Sequence, residues 1–338
     1  MKARLITLLA LLLSSSFLFA QKEVNVAIKS SEALTISARS QALGEVAVRN
    51  LVDLNSNDMD YSPLVYKDGL VFTSTRVFEG KKKEWFKSYK TKFSYLFFAK
   101  RDDRGRFGSP EPLEGAINGR YHEGAATFNK KGDTMFFTRN NNKGKNKFGK
   151  VDLKIYTAKE VDGNWDSIEE IKNINGDGFS SCHPTISEEG SKLFFASNRN
   201  GGYGGMDIYV SHKVNGEWQY PINLGPEINT DDNEIFPYVD QQNKLYFSSD
   251  GHHGKGGLDI FTSVWIDSED EEAWAKVINL GFPFNSVKDD FGFSIYNNSQ
   301  EGFFTSTREG GQGHDDIYIW RKEQVDRAGL DEGRKKAN

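Results

Sequence analysis

Residues 194–211 read FFASNRNGGYGGMDIYVS, and this stretch decides the fold. It consists of a short apolar run, a glycine-rich loop and a second apolar run that opens with Asp207. Similar stretches occupy 247–261 (FSSDGHHGKGGLDIF) and 304–318 (FTSTREGGQGHDDIY). In each copy an Asp follows a Phe by 12 positions, namely Asp207 after Phe195, Asp259 after Phe247 and Asp316 after Phe304. A constant interval across a variable loop indicates an internal repeat.

The repeat extends over most of the chain. Its first-run Phe occurs five times, each time after turn-forming residues, at Phe72, Phe137, Phe195, Phe247 and Phe304. A turn between two apolar runs predicts a β-hairpin. Later segments supply further strands: a Trp recurs as Trp165, Trp218 and Trp274, and Asn-Leu-Gly recurs at 223–225 and 279–281. Because four strands make one propeller blade, we predict an all-β, five-bladed β-propeller, with six blades as the alternative.

The two ends of the repeat region complement each other. The fifth unit stops at Trp320 without an Asn-Leu-Gly strand, whereas residues 46–51 (VAVRNL) resemble the missing strand. Pairing this N-terminal strand with the last blade would close the ring and remove an open sheet edge. We therefore expect a lead-in over 21–44, the propeller over 45–320 and a charged tail over 321–338.

The first 20 residues have the layout of a secretory signal peptide, with a basic start, an apolar run and Ala20 before the expected cleavage point. The apolar run is too short to span a bilayer, so we expect no transmembrane segment in the mature chain. The formal charge of −5 gives no electrostatic argument for a nucleic-acid partner. A single cysteine, Cys182, excludes an internal disulfide framework.

Three strings carry a resemblance to a known family: SNRNGGYGGMDIYVS (197–211), PINLGPEINTDDNEIFP (221–237) and FSSDGHHGKGGLDIF (247–261). They resemble the WD40-like, TolB-type β-propeller repeat. They are most similar to the version found in Bacteroidota cell-envelope proteins, beside a peptidoglycan-binding OmpA-type domain. The resemblance covers 45–320 and implies a periplasmic interaction platform, linked in some members to type IX secretion and gliding. No OmpA-type domain follows Trp320, so we expect peptidoglycan contact only through a partner.

From this resemblance we expect a non-catalytic scaffold, not an enzyme, in the periplasm and associated with the outer membrane through cell-envelope proteins. The alternative is a module that binds a glycan, a peptide or a metal in the channel mouth. The third class is a propeller glycosidase, which needs two unlike carboxylates beside the scissile bond. The carboxylates here are repeat equivalents, and the sequence shows no Ser-His-Asp or zinc signature.

Insertions in two units break the repeat. One of them, 80–93, reads GKKKEWFKSYKTKF, and the next unit carries a second group of lysines. Aromatic residues among lysines can bind an acidic partner, although a solvated insertion is the alternative. The predicted partner-binding residues are Lys81, Lys82, Lys83, Trp85, Phe86, Tyr89, Lys143, Lys145 and Lys147.

A carboxylate precedes the innermost strand in four of the five units, at Asp60, Glu123, Glu234 and Asp290. In a propeller these positions surround one mouth of the channel. Clustered carboxylates would attract a hard cation such as Ca²⁺, and we expect no other cofactor. The alternative is that each carboxylate accepts backbone N–H groups where the chain crosses between blades.

An Arg and an Asp also recur on either side of the glycine-rich loop, as Arg199 with Asp207 and Arg308 with Asp316. Asp259 recurs without the Arg, since Gly251 occupies that place. A guanidinium near a carboxylate across a hairpin predicts an ion pair within the blade or a contact that fixes the loop. A catalytic pair would not be copied around the ring and then lost, so we interpret this set as structural.

Overall fold

The described part of the chain consists of β-strands, turns and loops, with the strands in five small antiparallel sheets. Apolar, aromatic-rich runs on both sides of short polar turns favour such pairing. The five sheets confirm the five-bladed β-propeller and not the six-bladed alternative. The computed structural model describes residues 46–78, 92–140, 144–146, 149–267, 272–296 and 300–323. The predicted signal peptide, the lead-in and most of the charged tail lie outside these ranges.

Within a blade the strands follow one another outward in chain order. Blade 1 contains β2 (Asp60–Tyr66), β3 (Gly69–Ser74), β4 (Tyr95–Lys100) and β5 (Glu111–Pro112). Blade 2 contains β6 (Glu123–Phe128), β7 (Thr134–Asn140), β8 (Leu153–Val161) and β9 (Asn164–Glu170). Both sheets are four-stranded, as the repeat predicts.

In blades 3 and 4 the outermost strand is split into two short pieces. Blade 3 contains β10 (Ser181–Ile186), β11 (Lys192–Ser197), β12 (Asp207–Val214), β13 (Glu217–Trp218) and β14 (Ile222–Asn223). Blade 4 contains β15 (Glu234–Val239), β16 (Lys244–Ser249), β17 (Asp259–Asp267), β18 (Glu272–Trp274) and β19 (Ile278–Asn279). The Trp and Asn-Leu-Gly segments of the repeat therefore form separate pieces of one outer edge.

Blade 5 is completed by the N-terminal strand, as predicted. It contains β20 (Asp290–Tyr296), β21 (Glu301–Ser306), β22 (Asp316–Lys322) and, outermost, β1 (Val46–Asn50). Beside this junction, the Leu51 N–H donates to the Ile317 carbonyl at 3.0 Å. The Asn55 amide bonds both backbone groups of Ile317 at 2.9 Å. In the other blades an Asn amide likewise bonds both the N–H and the carbonyl of one residue, at Asn118, Asn175, Asn229 and Asn285.

Residues 48–321 form one compact unit, and a second unit combines 1–47 with 322–338. Of the second unit, only Val46, Ala47, Lys322 and Glu323 belong to the described residues. In the part of the chain that the structure describes, no helix is long and apolar enough to cross a membrane.

The apolar cores lie between neighbouring blades. All five repeat Phe residues are fully buried, with 0% of their surface exposed: Phe72, Phe137, Phe195, Phe247 and Phe304. Phe72 of blade 1, for example, shares a cluster with Phe303 and Ile317 of blade 5. Replacing one such Phe by Ala would lower the free energy of unfolding by about 3–5 kcal/mol. This cost explains why the position defines the repeat.

Every inner strand carries a β-bulge shortly after its first residue. The residues at these bulges have left-handed backbone conformations, with φ of 54° at Ser62, 32° at Ala125, 54° at His183, 50° at Phe236 and 63° at Gly292. Non-glycine residues rarely adopt such φ values, and a bulge re-aims a side chain. The bulged residues line the narrow centre of the channel, a cavity of about 30 Å³. We call the face on which the inner strands begin the upper face, and the opposite one the lower face.

Candidate functional site

Most of the predicted partner-binding residues lie outside the described residues. This applies to Lys81, Lys82, Lys83, Trp85, Phe86, Tyr89, Lys143 and Lys147. Lys145 alone of the set is described, and its side chain is exposed. Partner binding by these two insertions therefore stays a prediction.

The four predicted carboxylates begin the inner strands, but they do not present an open ring to the channel. Asp60, Glu234 and Asp290 have 0% of their surface exposed, and Glu123 has 1%. Three of them bond an Arg of the same blade. Arg76 Nη2 lies 2.5 Å from Asp60, Arg139 Nε lies 3.0 Å from Glu123, and Arg308 Nη2 lies 2.6 Å from Asp290.

Glu234 differs from the other three because Gly251 stands where the Arg would be. Its carboxylate accepts hydrogen bonds from the Thr230 N–H at 2.8 Å and from the Thr230 and Ser249 hydroxyls, both at 2.7 Å. Burial raises the pKa of Glu234 above its usual value, although these hydrogen bonds oppose the rise.

These contacts change the interpretation of the carboxylates. Asp60, Glu234 and Asp290 accept backbone N–H groups, from Ser56, Thr230 and Ser286, as the alternative to a Ca²⁺ site predicts. Glu123 instead bonds Arg139, and all four carboxylates are buried. Within the residues that the structure describes, no group of three or more His, Cys, Asp or Glu side chains could hold a metal ion.

The expected ion pair between the repeated Arg and Asp is not formed. Arg199 instead donates from Nη2 to the Ile174 carbonyl at 2.6 Å and lies over the Tyr209 ring. Asp207 accepts from the Tyr203 N–H at 2.6 Å and from the Asn223 amide at 2.7 Å. Arg and Asp thus have separate structural roles, since the Asp fixes the glycine-rich loop to the outer strand.

The same correction applies to the other copies. Arg308 bonds Asp290, while Asp316 accepts from the Gln312 N–H at 2.5 Å and from the Asn50 amide at 2.9 Å. Asp259 accepts from the Lys255 N–H at 2.5 Å. In both blades the Asp therefore fixes the glycine-rich loop.

The bulge N–H groups reveal a second repeated contact. The N–H groups of three of the five bulged residues donate to a Thr hydroxyl on the preceding blade: Ser62 to Thr305 at 3.0 Å, Ala125 to Thr73 at 3.0 Å, and His183 to Thr138 at 2.8 Å. In blade 3 the corresponding residue is Ala196, which has no hydroxyl. There the Phe236 N–H points to His183 Nδ1 at 3.4 Å.

His183 is therefore tied to the next blade. Since Nδ1 faces an N–H donor, the ring proton belongs on Nε2. The imidazole also stacks on Phe236, with ring centroids 3.7 Å apart and planes 10° apart. Burial lowers the pKa of His183 to about 3, so the ring is neutral near pH 7. Burial likewise raises the pKa of the neighbouring Cys182 thiol to about 12, so Cys182 is no nucleophile.

His183 forms part of a cavity of about 470 Å³ at the upper mouth of the channel, on the side of blades 3 to 5. We call this the upper cavity. Its polar side chains come from the starts of inner strands and the ends of their neighbours: Ser180, His183, Asn198, Asn233, Asp250 and Asp289. Its apolar lining includes Leu153, Cys182, Met206, Ile235 and Leu258.

Short hydrogen bonds hold the polar lining in place. The Ser180 N–H donates to Asn198 Oδ1 at 2.7 Å, and the Asn233 N–H donates to Asp250 Oδ1 at 2.8 Å. Asp289 Oδ1 accepts from the Leu258 N–H at 2.8 Å. The second Asp250 oxygen also accepts from the Asn233 amide, at 3.1 Å. The Asn198 amide group, the second Asp289 oxygen and the second lone pair of each Asp250 oxygen remain able to bind a ligand.

The sequence interpretation did not single out this cavity. One signal was present, because the bulge position reads Ser, Ala, His, Phe and Gly around the ring. A His and a Phe in adjacent units, where the others have small residues, mark the side of the channel that departs from the repeat. This signal is useful only if the bulge position is known to face the channel. The bulged backbone decides that orientation.

Comparisons with known proteins support the fold. No protein-family model matches the chain, and no curated protein matches it. An α-L-arabinofuranosidase from Lactobacillus brevis is 12% identical, over 80% of this chain and 91% of that one, with a TM-score of 0.50. A protein of unknown function from Dyadobacter fermentans is 13% identical, over 82% and 99%, with a TM-score of 0.47. XC5397 from Xanthomonas campestris, a gluconolactonase, is 13% identical, over 83% and 91%, with a TM-score of 0.42.

These structures contradict the prediction of a non-catalytic scaffold that is not an enzyme. That prediction rested on the family resemblance and on missing catalytic signatures, whereas an arabinofuranosidase shares the propeller architecture. At 12% identity the likeness shows the fold alone, so the reaction of that enzyme is not transferred to this chain.

Proposed function

We propose that the upper cavity is the ligand site, and the candidate active site, of this propeller, and that its ligand is a small, uncharged polyhydroxylated molecule of one or two sugar rings. The observation that carries the proposal is the convergence of six hydrogen-bonding side chains on one cavity of about 470 Å³. Small-molecule sites typically measure about 300–1,000 Å³ and contain a few well-placed polar groups.

The chemistry of the lining favours hydroxyl groups over charged ones. The charged side chains in the upper cavity are Asp250 and Asp289, which disfavour an anion. Amide and carboxylate oxygens accept hydrogen bonds from hydroxyls, and Asn198 and neutral His183 supply donors. The apolar surface of Ile235 and Leu258 suits the C–H faces of a sugar ring.

The test compares two equivalent asparagines. Asn198 holds the Ser180 N–H at 2.7 Å, and Asn140 holds the His122 N–H at 2.9 Å, but Asn198 alone lines the upper cavity. Calorimetry with glucose, xylose, arabinose and cellobiose should detect binding to the wild type. Asn198→Ala should weaken binding about tenfold, as expected for one lost hydrogen bond, while Asn140→Ala should leave it unchanged. Equal losses in both variants, or no binding of any sugar to the wild type, would overturn the proposal.

Catalysis is tested at the same site. Chromogenic glycosides and sugar lactones should be turned over, and turnover should fall in Asp250→Asn and Asp289→Asn, because these carboxylates line the upper cavity and can move protons. Binding of sugars without turnover of either substrate type would restrict the proposal to ligand binding.

We also propose that the chain is a TolB-like propeller of the WD40-like type, exported to the periplasm of a Bacteroidota cell, where cell-envelope proteins are its partners. The supporting observations are the signal-peptide pattern of 1–20 and the repeat strings of 197–211 and 247–261. Cell fractionation should recover the protein from the envelope without residues 1–20. Cytoplasmic protein with an intact N-terminus would contradict export.

A further inference from the structure

The lower face contains a second cavity, of about 490 Å³, at the junction where blade 1 meets blade 5. We call it the closure cavity. Blade 1 contributes the turn after β4, with Arg101, Arg104 and Phe107, and blade 5 contributes Tyr296, Glu301 and Arg321. The closure cavity shares no lining residue with the upper cavity.

A buried carboxylate organises the closure cavity. Glu301 has 8% of its surface exposed and bonds two guanidinium groups, Arg101 across the blade junction and Arg321 Nε at 2.8 Å. Burial alone would raise the pKa of Glu301, but the hydrogen bonds from Arg101 and Arg321 outweigh it, and the pKa is lowered. Glu301 is therefore ionised and neutralises one of the two cations.

Several arginine N–H donors of the closure cavity remain unused. Arg101 bonds Glu301 through Nη1 and the Gly105 carbonyl through Nε, so its Nη2 has no protein partner among the described residues. Arg321 bonds Glu301 through Nε alone. The exposed Arg104 side chain bonds no described residue. An arginine fork without a protein partner matches the geometry of a carboxylate.

The acidic side chains around the closure cavity mostly have partners of their own. Asp68 pairs with Lys100 at 3.1 Å and Asp102 pairs with Arg106 at 2.8 Å. Neither cation lines the cavity. Lys67 and Asp103 also line the cavity. With Lys100 and Arg106 counted, six basic side chains (Lys67, Lys100, Arg101, Arg104, Arg106 and Arg321) stand beside four acidic ones (Asp68, Asp102, Asp103 and Glu301), and this local charge of +2 favours an anionic ligand.

Apolar and aromatic side chains form the rest of the lining. Phe107 and Tyr296 both lie beside the Arg101 guanidinium, at 5.5 and 5.2 Å from ring centroid to Cζ, and Phe303 and Val65 complete the wall. An inorganic anion could not use this wall, whereas an organic acid with an apolar body could. We propose that the closure cavity binds a small monocarboxylic acid with an aromatic or aliphatic body, with Arg104 and the free Arg101 and Arg321 nitrogens holding its carboxylate.

Two neighbouring arginines provide a matched pair of variants. Arg104 and Arg106 are both exposed and lie in the same turn, but Arg106 pairs with Asp102 and does not line the cavity. Calorimetry of the full chain should detect benzoate binding, and Arg104→Ala should weaken it about tenfold through the loss of a charge-assisted hydrogen bond. Arg106→Ala removes no ligand contact but leaves Asp102 unpaired at the cavity, so it should weaken benzoate binding by less than Arg104→Ala does.

Two further probes separate the parts of the proposal. Benzamide has the same ring without the charge, and inorganic phosphate has charge without a ring, so both should bind at least tenfold more weakly than benzoate. No heat with benzoate, equal binding of benzamide, equal or tighter binding of phosphate, or the same loss in both arginine variants would each overturn the proposal. Sugar binding at the upper cavity should be unaffected by Arg104→Ala.

Discussion

Blades 2 and 4 hold the start of their inner strands in different ways. In blade 2 the buried Glu123 bonds Arg139, and both charges are compensated inside the same blade. In blade 4 the buried Glu234 has no such arginine, since Gly251 takes its place, and neutral hydroxyl and backbone donors satisfy it. One repeat position therefore carries an ion pair in one blade and a solitary carboxylate in another.

The two blades also differ at the bulge. The Ala125 N–H of blade 2 donates to Thr73 on the preceding blade at 3.0 Å, whereas the Phe236 N–H of blade 4 points to His183 at 3.4 Å because Ala196 lacks a hydroxyl. His183 lines the upper cavity. The proposed ligand site thus lies where contacts that occur at other blade junctions have been replaced.

In blade 4, His252 takes over only part of what the Arg does in other blades, and this supports the same conclusion. His252 Nε2 donates to the Ile228 carbonyl at 2.8 Å, in the way that Arg199 Nη2 donates to Ile174 at 2.6 Å. A smaller imidazole keeps the carbonyl contact and leaves the carboxylate without a cation in hydrogen-bond contact. The contact with the carbonyl is therefore kept, while the buried carboxylate next to the upper cavity loses its bound cation.

The largest expected effect tests the difference between the two carboxylates directly. Glu123→Gln leaves Arg139 buried without a counter-charge and should lower the free energy of unfolding by about 3–5 kcal/mol at pH 7. Glu234→Gln should change it by about 1 kcal/mol or less, because the Thr230 and Ser249 hydroxyls can accept hydrogen bonds as well as donate them. Urea unfolding of the two variants measures both values. Similar losses would mean that the arginine adds nothing to the blade 2 anchor.

A middle-sized effect tests the bulge contact. His183→Ala removes the acceptor of the Phe236 N–H and the ring stack, and should cost about 2–3 kcal/mol in urea unfolding. Adding Ala196→Thr to this variant installs the hydroxyl that three other junctions use, and should restore about 1 kcal/mol. If the second change restores nothing, the hydroxyl contact is not interchangeable with the imidazole.

Sequence reasoning predicted the fold because the features that specify a blade are local and repeated. The Phe that defines the repeat is buried in every blade, and the interval from Phe195 to Asp207 measures one strand, one loop and the start of the next strand. The N-terminal strand was predicted from what the last unit lacked. Such inferences need only residue types and spacing.

The candidate functional site was harder to predict from the sequence, because it depends on which hydrogen-bond partner each polar side chain has in the folded protein. The spacing of Arg308 and Asp316 suggested a pair, but Arg308 reaches back to Asp290 at the start of the inner strand. Burial of the four carboxylates likewise follows from hydrogen bonds between segments that are distant in sequence. No sequence pattern in a single chain clearly marks the bulge that turns His183 toward the channel. The upper cavity could therefore be recognised only in the structure.

The smallest expected effect is the pH dependence that Glu234 confers. Its folded-state pKa is raised by burial above the usual value of 4.5, so between these two values the folded protein keeps a proton that the unfolded chain releases. The associated stability is fully present below about pH 4.5 and is lost as the pH rises through the folded-state value. Urea unfolding from pH 4 to 7 should show a decline in the wild type that is smaller in Glu234→Gln, since other carboxylates contribute equally to both. Parallel curves would show that the hydrogen bonds from Thr230 and Ser249 offset the burial, and that the solitary carboxylate of blade 4 is as well compensated as the paired one of blade 2.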